Sequence, residues 1–191
     1  MTKKRPRLAE VDRLLRLKQT ARITLLRPDV ASSVAAFIAW KALLLAANAE
    51  NGPNERQRLR KAVRGALQAE PNALRPAVEE FVEGLQRLSR SDVTPMVRRD
   101  WFAQEGAVGQ REQADDVIRS AKRLRRRLTE LQDGDVAEIS SELVDRMCDV
   151  RNAVIGHVRV TTETPFFGTI VTPFETLAAS VAECLFRRAN P

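Results

Sequence analysis

By residue type and spacing, Arg151, Asn152 and His157 are the side chains best suited to chemistry, and His157 is the only histidine among 191 residues. Imidazole titrates near neutrality and can give or take a proton there. Guanidinium is always charged and presents a planar fork of donors that fits a phosphate. The Asn152 amide, directly after the arginine, can donate and accept hydrogen bonds at once. Together these groups could handle a phosphodiester without a metal ion. A plainer alternative makes His157 a residue after a glycine C-cap that favours the helix dipole, with Arg151 a solvated flank residue.

The element that must position them is predicted over Val136 to Val158. There Leu143, Val144, Met147, Val150, Val154 and Val158 recur at three- and four-residue steps, the period of an amphipathic helix. Val150 and His157 fall within about 20° of each other around a straight helix, and Arg151 lies on the flank of the apolar stripe. Gly156 weakens the helix before the histidine or ends it there.

Arginine, a polar residue, four further residues and then histidine, late in an amphipathic helix of a helical protein, resembles the signature of the HEPN superfamily. Arg151, Asn152 and His157 stand at the matching positions. The resemblance implies an all-α bundle, a two-fold homodimer that brings two motif helices together, and metal-independent cleavage of RNA. Many members of that group are toxins or host-defence ribonucleases, and some are inactive binding modules. The expected fold is therefore an all-α, HEPN-like bundle over residues 29–191, preceded by a basic helical extension over residues 1–28.

One histidine per chain bears on mechanism. Cleavage through the 2′-hydroxyl needs a base for that proton and an acid for the leaving 5′-oxygen. A two-fold dimer would supply two histidines and two arginines in one cleft. His157 would then act as base or acid, Arg151 would stabilise the charge of the phosphorane-like transition state, and Asn152 would position a phosphate oxygen or the imidazole.

Composition agrees with an RNA partner. The net charge is +7 and the sequence pI about 10.2, which suits RNA, DNA or an anionic surface. Aromatic residues make up only 5% and tyrosine is absent, which argues against a base-stacking platform and for contact through the backbone. The densest basic run, Lys122-Arg123-Leu124-Arg125-Arg126-Arg127, lies in a predicted helix over Gln110 to Gln132. Lys122, Arg123 and Arg126 are candidate phosphate contacts, or else a solvated face paired with Glu112, Asp115, Asp116 and Glu130. After the motif, Val158 to Thr162 and Thr169 to Thr172 are β-branched runs around Pro165-Phe166-Phe167-Gly168, predicting a short hairpin or extended loop. Arg159 would contact substrate if that segment flanks the cleft.

Other chemistries lack their residues. Neither a Cys-x-x-Cys pair nor a second histidine offers a zinc site, and P-loop, dinucleotide and nucleophile-elbow patterns are missing. No cofactor or metal is expected. Asp145 and Asp149, at i and i+4, could hold a divalent ion or pair with Arg146 and neighbouring helices. Cys148 and Cys184 read as reduced packing residues, or else as the two ends of a single bridge. The basic start lacks an apolar targeting run, and Val30 to Ala47 carries Lys41 in its middle, so it reads as a core helix and not a membrane span. A cytoplasmic protein is expected, partnered by RNA, by a second copy through the motif helix, and by an antitoxin or regulatory protein. The remaining helices are predicted over Leu8–Leu26, Asp29–Glu50, Asn54–Ala69, Asn72–Leu88 and Phe174–Arg188.

Overall fold

In the computed structural model, residues 5–24, 28–50, 53–87, 136–157 and 167–190 are described. They form six α-helices and one π-helical turn, with no strand among the described residues. The order is α1 (Arg5–Thr24), α2 (Pro28–Ala46), α3 (Glu55–Ala69), α4 (Pro71–Arg87), α5 (Val136–His157), the turn Phe167–Val171, and α6 (Thr172–Ala189). The chain is all-α over these residues.

Helices α2 and α6 are the spine of the bundle. Both are apolar on most sides, as a helix enclosed by neighbours must be. Trp40 of α2 stacks on Phe174 of α6 with ring centroids 5.7 Å apart, and Phe81 of α4 approaches the same Phe174 ring at 6.4 Å. Helix α1 lies along α2 and also reaches α6, with Val11 in the common core. Its second anchor is electrostatic. Glu175, in the first turn of α6, has a side chain only 3% exposed and accepts from Arg22 through both oxygens, with Lys18 Nζ 3.6 Å away. The helix N-terminus favours that carboxylate, and the two cations offset its desolvation. The run Thr169–Ala189 is the one stretch of the described residues long and apolar enough to span a bilayer, and 61% of its apolar window is buried inside the bundle.

Several boundaries differ from the predicted ones for identifiable reasons. Helix α2 begins at Pro28, one residue before the predicted Asp29, since proline fits the first helical position. It ends at Ala46 and not near Glu50, because Asn48 turns left-handed at φ 54°. The Asn48 N–H then donates to Leu45 O (3.1 Å) and the Ala49 N–H to Leu44 O (2.8 Å), a Schellman closure. Pro71 opens α4, one residue before the predicted Asn72, which places Pro76 sixth in the helix, beyond its first turn. It withholds an N–H that would otherwise reach Asn72 O, and both residues are solvent-exposed.

The expected hairpin is corrected over its second half. Phe167–Val171 is a π-helical turn, and Thr172 already begins α6. Ile170 and Val171 are fully buried. Packing against α4 outweighs the β preference of the run, since that preference chiefly reports fit to a half-buried sheet face. Gly84 of α4 makes the contact feasible: a Cβ there would lie 2.3 Å from Thr169 O. The first half of the expected hairpin, with Arg159, lies outside the described residues, as do the predicted 110–132 helix and its Lys122, Arg123 and Arg126.

Candidate functional site at the end of helix α5

Helix α5 forms because Ile139, Leu143, Val144, Met147 and Val150 line one face and are all buried. It packs chiefly on α3, whose Leu59, Val63 and Ala66 supply the facing apolar stripe, and it touches α2. The helix continues through Gly156 to His157, so residues 151–157 are helical throughout. The Arg151 and His157 positions are therefore about 9 Å apart along the axis and about 120° apart around it.

Arg151 has two partners. Its guanidinium carbon lies 5.6 Å from the centroid of the Trp40 ring, and its Nη2 is 3.7 Å from Glu55 Oε1 in the first turn of α3. The Arg151 side chain is 31% exposed and that of Glu55 30%. A cation over a partly desolvated indole gains about 1–2 kcal/mol. Arg151 Nε is buried without a hydrogen bond among the described residues, which leaves the Nη groups as its outward donors. Arg151 thus lies over the Trp40 ring, which stacks on Phe174, and Phe81 is tilted against that second ring.

Nearly two turns earlier on the same seam, Arg60 Nη2 donates to both oxygens of Asp145 at 2.8 Å, and Arg56 stands 3.8 Å from the same carboxylate. Arg146 pairs with Asp149 at 3.0 Å. Both aspartates are therefore engaged by arginines, the second of the two roles open to them from sequence. Cys148, on the buried face, is pushed up to about 11 by burial, and burial likewise raises Cys184. Both thiols are protonated at neutral pH and are packing groups.

Asn152 and His157 occupy the last two turns of α5. The structure adds Trp40 and Glu55 to the site. Their sequence positions give no hint of it, because a ring on α2 and a carboxylate on α3 meet Arg151 only through tertiary packing. Comparison with protein-family models, with curated proteins and with solved structures finds no match to this chain.

Proposed function

We propose that the protein is a metal-independent endoribonuclease of HEPN type that cleaves RNA through the 2′-hydroxyl and acts as a toxin or host-defence effector. The observation that carries this reading is Arg151, packed against Trp40 and still partly open to solvent, on the same unbroken helix as Asn152 and His157. A catalytic cation is most effective when it is oriented before the substrate arrives, on a rigid element and beside a surface of low polarity. Arg151 meets each of these conditions. In the proposed reaction its Nη donors stabilise the charge that develops on the phosphorus oxygens. His157 transfers one proton, and His157 of a second copy transfers the other. Pairing two motif helices in a homodimer brings the four groups to one scissile phosphate. An antitoxin or regulatory protein would restrain the activity.

A second reading rests on Glu55. Its carboxylate stands where a phosphate oxygen would approach Arg151, and an arginine whose only task is to join α2, α3 and α5 would look the same. On that reading the bundle is a non-catalytic binding module. Purified protein incubated with total cellular RNA in EDTA, beside His157→Ala and Arg151→Ala proteins of verified fold, separates the two. Cutting by wild type alone supports the ribonuclease. No cutting, or equal cutting by all three, favours the binding module.

A further inference from the structure

The solvent face of α3 carries Gln57, Lys61, Arg64 and Gln68, which fall within about 60° of one another around the axis. Arg58 flanks them, and all five residues are exposed. From Arg56 onward the helix has no acidic residue. Arg56 and Arg60 turn inward to Asp145, but Lys61 and Arg64 have no carboxylate partner among the described residues. Arg58 donates only to a backbone carbonyl, Asn48 O at 3.0 Å. At the far end Arg188 of α6 crosses to donate to Gly65 O at 2.7 Å, which adds a fourth exposed cation beside the same face.

From this arrangement we infer that the outer face of α3 is a docking surface for the phosphate backbone of RNA, reading charge and not sequence. The inference rests on the ribonuclease reading in taking the polymer to be RNA. Arginine, lysine and glutamine side chains are the usual phosphate contacts, and they position a strand without reading its bases. The face has no aromatic ring for base stacking. A membrane fits it less well. A helix lying on lipid must bury its apolar side there, whereas Leu59, Val63 and Ala66 of α3 are already in the protein core. The same helix begins at Glu55, the partner of Arg151. A strand lying along α3 is thereby led towards the motif.

The test is binding of a fluorescein-labelled, 2′-O-methylated single-stranded RNA, which cannot be cut through its 2′-oxygen, followed by anisotropy across a salt series. Wild type is compared with Lys61→Gln/Arg64→Gln, whose two side chains touch nothing that holds the fold. Each lost contact to a single strand should make the slope of log K against log salt shallower by about 0.7, hence by about 1.4 for the pair. Between about 50 and 200 mM salt, wild type should then lose about 7-fold more affinity than the variant. Adding Arg58→Gln should deepen the effect, and Lys61→Arg/Arg64→Lys should restore the wild-type slope. An unchanged slope in the double variant overturns the surface. So does binding to phosphatidylserine vesicles that the double variant loses while its RNA binding stays intact. His157→Ala protein keeps the wild-type slope if the surface is right. A slope change without RNA cleavage retains the surface and rejects the nuclease, and cleavage with an unchanged slope does the reverse.

Discussion

Replacing Glu55 by glutamine removes the carboxylate facing Arg151 and nearly preserves side-chain shape. At 3.7 Å and an effective dielectric near 20, the pair attracts by about 4.5 kcal/mol. Both side chains are about one-third exposed, so screening and the cost of ordering them leave about 1 kcal/mol net. Glu55 also favours the N-terminus of α3 by about 0.3–1 kcal/mol. The variant should therefore lose about 1–2 kcal/mol of stability, and its Tm should fall by about 2–8 °C. Its affinity for RNA should move the other way. Arg151 no longer has to exchange a carboxylate for a phosphate, and about 1 kcal/mol of relief tightens binding about fivefold. Removing any acid raises the net charge, so Glu79→Gln is the control; Glu79 is exposed and paired with Arg75 on α4. The assay is anisotropy with uncleavable RNA for both variants, each repeated in an Arg151→Ala background. A gain specific to Glu55→Gln that vanishes without Arg151 is the expected result. Equal affinities for the two variants, or weaker binding by Glu55→Gln, would refute the idea that Arg151 meets the phosphate.

Four further outcomes concern the scaffold. Gly84→Ala should lower Tm by about 4–12 °C, because the 2.3 Å approach to Thr169 O forces a backbone shift costing about 2–3 kcal/mol. Gly65→Ala should raise Tm, since its Cβ meets nothing nearer than Arg188 Nη1 at 3.6 Å and the helix gains about 0.5–1 kcal/mol; the same sign for both alanines in differential scanning calorimetry would contradict this packing. Glu175→Ala should cost about 3 kcal/mol, or about 6–12 °C in Tm, by leaving Lys18 and Arg22 unpaired between α1 and α6, and an unchanged melt would mean that α1 is not anchored there. The Cys148 thiol, raised by burial from its ordinary value near 9 to about 11, contributes stability that is complete below pH 9 and is lost as pH rises through 11. Urea midpoints for wild type and Cys148→Ala should keep a constant offset below pH 9. Above it, wild type should lose about 2–3 kcal/mol more than the variant, and curves that stay parallel to pH 11 would exclude the effect.

What the sequence made legible follows local periodicity. Leu59, Val63 and Ala66 in α3, and Leu143, Val144, Met147 and Val150 in α5, repeat at helical spacing, and the structure buries all of them. The helix starts predicted at Asp29 and Asn72 each fall one residue late, because a proline, Pro28 or Pro71, opens the helix. Features set by tertiary contact were not legible. Thr169 to Thr172 look like strand residues in isolation, yet they become helical because a glycine 85 positions away from Thr169 lets α4 close on them. Helix α2, predicted to run to Glu50, stops earlier because Asn48 closes it through its own left-handed turn. At the candidate site, Arg151 could be picked out by its chemistry and its place before His157. Trp40 and Glu55 could not, because each approaches from a different helix.

The chemical ends of RNA fragments produced in EDTA are the most direct test of the proposed activity. A base-assisted attack by the 2′-hydroxyl leaves a 2′,3′-cyclic phosphate on one fragment and a 5′-hydroxyl on the other, and wild-type protein should give both. Intact RNA, or fragments that carry 3′-hydroxyl and 5′-phosphate ends, would contradict the mechanism assigned to Arg151 and His157.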